Sequence, residues 1–157
     1  MTRFKAHNHS EADVEASPEQ IWEALTAPQL ITKLTPFLQN IEATEDRWIW
    51  TLASIPVLNK QFSPTFTEVM TFEPMERISF SHDPGQTKDK AGTEGYYLLT
   101  PKDDGTTHLI IDLEVSVDLP LPRLAKPAVV TAMNTVMAGM GRRFADNLLK
   151  YLKEDRV

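Results

Sequence analysis

Two titratable residues interrupt apolar strand patterns in this sequence of 157 residues. Glu68 alternates with Phe66 and Met70, and His82 follows Phe80 two positions later. Because side chains two positions apart share one face of a strand, the Glu68 carboxyl group is predicted to lie on an apolar face. A buried carboxyl group must be paired or neutral, and an imidazole titrates near neutral pH. Both side chains are therefore candidates for orienting a ligand or exchanging a proton with it, although no catalytic residue is assigned.

Each of these residues also has a purely structural interpretation. Glu68 either lies at the end of its strand or pairs with a cation such as Arg77, in which case it serves the fold alone. His82 precedes the long segment 83–92 and is then an exposed residue at the rim of the protein. The sequence leaves both interpretations open beside the ligand-contacting ones.

The sequence HNH at positions 7–9 is similar to a nuclease motif. On a predicted strand, His7 and His9 share a polar face with Lys5 and Glu11, and a metal site there needs ligands from elsewhere. The chain also lacks a glycine-rich phosphate loop, a Ser/His/Asp order and a zinc signature. We expect a solvated polar face, with no metal and no cofactor.

Composition restricts the classes of partner. The formal net charge is −6 and no Lys/Arg cluster is present, so nucleic acid and stable membrane insertion are not expected. The absence of cysteine excludes disulfides, thiol nucleophiles and thiolate metal sites. The segment MTRFKAHNHS has no apolar stretch typical of a signal peptide. We expect one domain over residues 1–157 in a soluble cytoplasmic protein. The sequence does not decide between a monomer and a homodimer.

The predicted elements begin with a strand and two short helices. Residues 3–16 alternate between apolar and polar side chains, which indicates a half-exposed strand. Ser17 is a predicted N-cap, Pro18 occupies the first helical position and Gln20 completes a capping box. Pro28 ends this helix and permits a second one.

A β-meander is predicted next. The strands lie near 37–45, 47–54, 62–73, 76–82, 93–101 and 106–119. Tight turns alternate with three longer, irregular segments at 55–61, 83–92 and 120–127. Alternate connections of an antiparallel meander lie at the same end of the sheet, so the long segments are predicted to gather there and form a mouth.

The final segment, 128–153, has apolar residues at three- and four-residue spacing and is predicted to be a long amphipathic helix. Gly139 and Gly141 each weaken that helix by roughly 1 kcal/mol relative to alanine, and they permit a close approach or a bend. The element order predicts an α+β helix-grip fold. A curved antiparallel sheet of about seven strands wraps around the C-terminal helix, and the two short helices support one end.

Five parts of the chain resemble a known superfamily. They are VEASPEQIWEALTAP at 14–28, RWIW at 47–50, EPMERISF at 73–80, GTTHLIIDLEVSVDLPLP at 105–122 and the terminal helix. They resemble the SRPBCC superfamily, the START-related, Bet v 1-like helix-grip proteins that include a polyketide cyclase/dehydrase-like group. The resemblance implies an internal cavity for an apolar or amphipathic small molecule between sheet and helix. It implies no single activity, because members include carriers, sensors and cyclases.

Alternation along the strands assigns the residues that line such a cavity. Strand 93–101 is ambiguous because either Tyr96 or Tyr97 points inward, and Tyr96 is the assigned residue. The predicted lining combines aromatic rings, methionines and two titratable groups, and it consists of Trp48, Trp50, Phe66, Glu68, Met70, Ile78, Phe80, His82, Tyr96, Met133, Met137 and Met140. For the apolar members, a closely packed core without a ligand is the alternative.

These observations lead to one expected function and two alternatives. We expect binding of a hydrophobic small molecule, lipid-like or polycyclic, oriented by Glu68, His82 and a tyrosine. The first alternative is a polyketide cyclase or aromatase, which needs an acid/base pair facing the substrate. The second is a module that acts through its surface, which predicts a filled core and an exposed apolar patch.

Overall fold

The predicted order of strands and helices is present in the computed structural model, which describes residues 1–155. The strands are β1 (Thr2–Val14), β2 (Leu38–Thr44), β3 (Arg47–Leu52), β4 (Ile55–Val57), β5 (Lys60–Phe62), β6 (Thr65–Glu73), β7 (Arg77–His82), β8 (Ala91–Pro101) and β9 (Thr107–Leu119). The helices are α1 (Pro18–Leu25), α2 (Pro28–Leu34) and α3 (Lys126–Asp155), with a 3-10 turn at Arg123–Ala125. None of the described helices is long and apolar enough to cross a membrane.

The seven long strands form one antiparallel sheet in the order β1-β9-β8-β7-β6-β3-β2. The inner face of this sheet packs on α3, and α1 and α2 close one end. This is the predicted α+β helix-grip fold. The predicted capping box is also confirmed, since the backbone N–H of Gln20 donates to Ser17 Oγ at 3.2 Å and the N–H of Ser17 donates to Gln20 Oε1 at 3.0 Å.

The outer face of β1 and β9 carries a hydrogen-bonded polar network. His7 Nε2 and His9 Nδ1 each lie 2.7 Å from a carboxylate oxygen of Asp112. His9 Nε2 lies 2.8 Å from Glu11 Oε2. Because both nitrogens of His9 face carboxylates, its imidazolium form is favoured and its pKa is raised above 6.5. The HNH segment thus contributes to a polar sheet surface, as its alternation predicted.

Two details of the meander differ from the sequence prediction. Segment 55–61 was predicted to be irregular, but the short strands β4 and β5 form a separate hairpin there. The strand predicted at 62–73 is also interrupted, because β6 begins only at Thr65. Pro64 explains the interruption: it has no backbone N–H to donate, and its carbonyl group accepts the Leu52 N–H at 3.0 Å.

The three longer connections gather at one end of the sheet, as predicted. Val57 from the first, Phe62 directly after it, Ala91 from the second and Leu121 from the third belong to one apolar cluster with the start of α3. The N–H of Asp118 donates to the carbonyl group of Lys90 at 2.7 Å, which ties the second connection to the end of β9. We call this end of the sheet the long-connection end.

Candidate ligand-binding site

The interior is divided along α3 into two closed ends and a more open middle. Val129 and Met133 are buried in the cluster at the long-connection end, and Leu148 and Leu152 are buried in the cluster beside α1 and α2. Between them, every described residue from 134 to 147 is half-buried or exposed. A helix whose apolar face is fully covered would bury that face along its whole length. The apolar face of α3 is therefore incompletely covered at its centre.

The sheet residues around this open middle are apolar and also only half-buried. Trp50 and Leu52 on β3 border both clusters, whereas Met137 and Phe144 on α3 border one each. Further half-buried inner-face residues from β8 and β9 are Tyr97, Ile111, Leu113 and Val115. We call the region bounded by these side chains the central site.

Aromatic side chains on the inner face of the sheet form a wall that begins at Trp50 in the central site and continues into the two buried clusters. The rings of Trp50 and Phe66 are stacked, with centroids 6.5 Å apart and planes inclined by 4°. Trp48 lies 6.3 Å from Trp50, and Phe80 lies 5.4 Å from Tyr97, between ring centroids. The Nε1 atom of Trp50 is buried and has no hydrogen-bond partner among the described residues. This indole N–H is a donor without an acceptor.

Glu68 is the buried titratable group of this wall, with a relative exposure of 1%. Its Oε1 accepts a hydrogen bond from the Thr93 N–H at 2.9 Å and a second one from the Thr93 hydroxyl group. Its Oε2 is buried without a partner in the described part of the chain. Glu68 therefore lies in the middle of β6 rather than at its end, and Thr93 is its partner rather than Arg77.

Burial determines the protonation state of Glu68. Desolvation raises the pKa of this carboxyl group from 4.5 to about 8, since the charged form is poorly solvated there. The two hydrogen bonds from Thr93 oppose the shift, and the nearby charges of Glu94 and Asp89 add to it. The carboxyl group is consequently neutral at pH 7 and able to donate a hydrogen bond.

His82 holds the second long connection in place. Its Nε2 lies 2.9 Å from Oδ2 of Asp89, which also accepts the Thr67 N–H at 3.1 Å. The side chain is 24% exposed, so it is half-buried rather than open at the rim. Gly92 lies directly against it, since a Cβ atom there would be 2.9 Å from the His82 Cβ. The imidazole is thus engaged by Asp89, and its contact with a ligand remains a prediction.

The assignment of Tyr96 to the inward face is wrong. Tyr96 pairs with Asp112, whose side chain belongs to the outer polar network, and Arg77 lies 4.4 Å above the centre of its ring. Tyr97 occupies the inner face instead, in register with Ile111. Burial, with a smaller contribution from the charge of Glu68, raises the pKa of Tyr97 to about 12. Tyr97 is the inward residue that the sequence left open as the alternative to Tyr96.

The other predicted lining residues fall into two groups. Trp48, Met70, Ile78, Phe80, Phe66 and Met133 are buried in the two clusters. Met137 and Met140 are half-buried on the open middle of α3. Thr93 was not predicted, because its contact with Glu68 depends on how β6 and β8 lie on either side of β7.

Two surface hollows lie elsewhere, around the carboxyl-terminal part of α3. One, of about 290 Å³, is lined by Val14 and Leu152 between charged side chains. The other, of about 320 Å³, lies between α2 and α3 beside Leu34 and Tyr151. Neither contains a residue of the predicted lining, and both are bordered by charged groups, so they are poor sites for an apolar ligand.

Solved structures with a similar fold come from several bacteria. A conserved protein from Geobacillus kaustophilus has a TM-score of 0.73 at 17% identity, covering 94% of this chain and 95% of its own. An aromatase/cyclase, Zhui, from a Streptomyces species has a TM-score of 0.71 at 12% identity, covering 98% and 96%. A START superfamily protein from Mycobacterium smegmatis has a TM-score of 0.64 at 17% identity, covering 94% and 97%. At these identities the similarity concerns the fold.

The family comparison covers nearly the whole chain. No match was found among curated protein sequences. The model of the family described as polyketide cyclase/dehydrase and lipid transport matches residues 5–153. With the helix-grip fold and its START-like neighbours, this match agrees with the superfamily predicted from the sequence. The chain therefore belongs to the polyketide cyclase/dehydrase and lipid transport family.

Proposed function

We propose that the chain is a single ligand-binding domain that holds an apolar or amphipathic small molecule, lipid-like or polycyclic, in the central site. The observation that carries this proposal is the division of the interior. Both ends of α3 are closed by buried clusters, whereas Met137, Met140 and Phe144 between them stay half-buried. A ligand in this region would complete the burial of the apolar face. The family's description, which includes lipid transport, supports the same function.

The chemistry of the walls suits such a ligand. Trp50 and Phe66 offer flat apolar contact area, and Met137 and Met140 adapt to ligands of different shape. Removing apolar area from water stabilises a complex by about 25 cal/mol per Å² at most, before the costs of association. Apolar burial is therefore the main source of affinity in this proposal, and the few polar groups set orientation.

Native mass spectrometry of freshly purified protein tests the proposal first. We expect a discrete added mass that disappears on denaturation, and an organic extract then gives its chemical class. A protein without added mass is titrated with two probes, 9-fluorenone for the polycyclic class and a long-chain monoacylglycerol for the lipid-like class. Failure of both probes to bind contradicts the proposal.

Tryptophan emission locates the bound probe. We expect 9-fluorenone to quench emission saturably in wild-type protein, with most of the response lost in Trp50→Phe. Trp22→Phe is the matched control, because Trp22 lies on α1 with its ring 6.2 Å from that of Phe72. An equal loss of response in both variants would place the probe outside the central site.

Cyclisation of a polyketide-like chain is a second candidate function. The neutral carboxyl group of Glu68 favours it, because a buried acid beside an apolar site can donate a proton to a substrate carbonyl oxygen. The Zhui aromatase/cyclase has the same fold. A linear polyketone analogue is incubated with wild-type protein and with Glu68→Gln. Because aldol cyclisation itself conserves mass, mass spectrometry follows the water that is lost when the cyclic β-hydroxy ketone dehydrates. Equal rates in the two proteins contradict a role for Glu68, and no product contradicts the candidate.

A further inference from the structure

We infer that Glu68 and Trp50 form a donor subsite within the central site, and that this subsite takes a neutral hydrogen-bond acceptor, a carbonyl oxygen on an aromatic or polycyclic ligand. The inference rests on the proposed function and adds the chemistry of the ligand. Trp50 Nε1 and Glu68 Oε2 are the two buried side-chain polar atoms that lack a hydrogen-bond partner within the described residues. Such groups are rare in folded proteins, and each calls for a partner.

The two atoms belong to neighbouring strands of the same wall. On β3 and β6, Trp48 pairs with Glu68 and Trp50 pairs with Phe66. Trp50 and Glu68 are therefore diagonal neighbours on one face of the sheet, and the Cα atoms of such neighbours are about 7–8 Å apart. In the inferred complex, one ligand oxygen, or two oxygens on one ring system, lies between these two side chains and accepts from both.

Both atoms are donors. An indole N–H only donates. In Glu68, Oε1 accepts from the Thr93 N–H, which can only donate, so the proton of the neutral carboxyl group resides on Oε2. These two donors lack an acceptor, and the lone pairs of a carbonyl oxygen can accept from both of them.

The surroundings of Glu68 disfavour an anionic ligand. On β7, His82 is bound to Asp89. On β8, the titratable groups that interact with the charge of Glu68 are Glu94 and Tyr97. Strand β3 presents uncharged indoles. The described residues that α3 turns inward over the same region, which are buried or half-buried, are Val129, Val130, Ala132, Met133, Val136, Met137, Gly139, Met140 and Phe144. With carboxylates as the nearest charges and no inward cation on α3, a carboxylate or phosphate group on the ligand would be repelled.

Three tricyclic probes of similar shape test the subsite: fluorene, 9-fluorenone and a fluorene that carries a quaternary ammonium group. At pH 6.5 we expect 9-fluorenone to bind about tenfold more tightly than fluorene, the gain typical of one added hydrogen bond. This preference should fall as the pH rises through about 8, where Glu68 loses its proton. Fluorescence titration or calorimetry gives the dissociation constants.

Variants assign the effect to individual atoms. Glu68→Gln keeps an N–H donor at the position of Oε2, so it should retain the preference for 9-fluorenone and lose its pH dependence. Trp50→Phe keeps an aromatic ring without the N–H and should reduce the preference. Tyr96→Phe on the outer face is the control and should change neither quantity. Glu68→Gln keeps the shape of the wall, whereas Trp50→Phe also removes apolar contact area, which weakens the binding of fluorene and 9-fluorenone alike and leaves their ratio as the readout. The unfolding curves of the variants show that each is folded.

The outcomes separate the inference from the proposed function. If none of the three probes binds, the proposed function itself is contradicted. If fluorene and 9-fluorenone bind equally well, the proposed function stands and the donor subsite is overturned. If the quaternary ammonium probe binds most tightly, and more so above pH 8, Glu68 acts as a carboxylate for cations and the assignment of a donor is overturned.

Discussion

The Glu68 carboxyl group on β6 accepts the backbone N–H of Thr93 on β8 at 2.9 Å, although β7 lies between these two strands in the sheet. The ladder between β7 and β8 pairs residues only as far as Phe80 and Gly95, which leaves the N–H of Thr93 available. A side chain thus replaces a backbone acceptor where two strands part. The contact anchors one carboxyl oxygen of Glu68 and leaves the other in the interior.

Removing the Thr93 hydroxyl group should raise the pKa of Glu68 further. That hydroxyl group donates to Oε1 and favours the charged carboxylate, so Thr93→Val should move the pKa above its value of about 8. The free energy of unfolding should fall by about 1 kcal/mol for the lost hydrogen bond. Carbon-13 NMR of the carboxyl group measures the pKa. Thr93→Ser keeps the hydroxyl group and serves as the control; equal pKa values in the two variants contradict the prediction.

Glu68 should also make the protein less stable as the pH rises from 4.5 to 8. Over this interval the folded state keeps the proton that the unfolded state has already lost, because the pKa is about 8 in the folded protein and 4.5 ordinarily. The free energy of unfolding should therefore fall by up to about 1.4 kcal/mol per pH unit. Urea denaturation at several pH values measures the slope.

Glu68→Gln provides the comparison for this slope. His9 also has a raised pKa, so its contribution to stability is likewise lost as the pH rises. That contribution is common to both proteins and cancels in the difference between wild type and Glu68→Gln. The free energy of unfolding should fall less steeply with pH in Glu68→Gln than in wild type. Parallel curves for the two proteins would mean that Glu68 is ionised in the folded protein at neutral pH.

The sequence predicts a residue of the site well where the neighbouring residues in the chain show which face of the strand its side chain occupies. Glu68 stands alone among apolar neighbours, so its inward face follows from alternation. In the segment Tyr96-Tyr97-Leu98-Leu99, both sets of alternate residues are largely apolar, so alternation does not show which set points inward. Only the register of β8 with β9 decides this. Alternation carries no information about contacts across strands, so the partnership of Glu68 with Thr93 required the folded structure.

Local signals likewise predicted α1 better than they predicted the meander. The capping box of Ser17 and Gln20 involves residues three positions apart and can therefore be recognised in the sequence. The break at Pro64 was missed because the flanking apolar residues continue the alternation through it. The half-buried middle of α3 was missed too, since an apolar stripe has the same appearance whether or not it is covered.

Loss of the α1 cap should have a measurable effect on stability. Ser17 Oγ accepts the Gln20 N–H at 3.2 Å, so Ser17→Ala leaves that donor without its partner. We expect the free energy of unfolding to fall by about 1 kcal/mol. Ser17→Asp keeps an acceptor and should lie close to wild type. Chemical denaturation of the three proteins decides this, and an unchanged midpoint in Ser17→Ala would show that the cap contributes little.

The two glycines of α3 should be replaceable with a gain in stability. A Cβ atom added at Gly139 or Gly141 meets no atom within 4 Å, so neither glycine serves a close approach. Alanine should raise the free energy of unfolding by about 1 kcal/mol at each position, because it loses less backbone entropy in a helix. Gly141 is exposed and Gly139 half-buried, so Gly141→Ala reports helix propensity alone and is the reference for Gly139→Ala. Thermal and urea unfolding measure both. A loss of stability confined to Gly139→Ala would show that the sheet and α3 approach each other more closely in solution, and that the central site closes when it is empty.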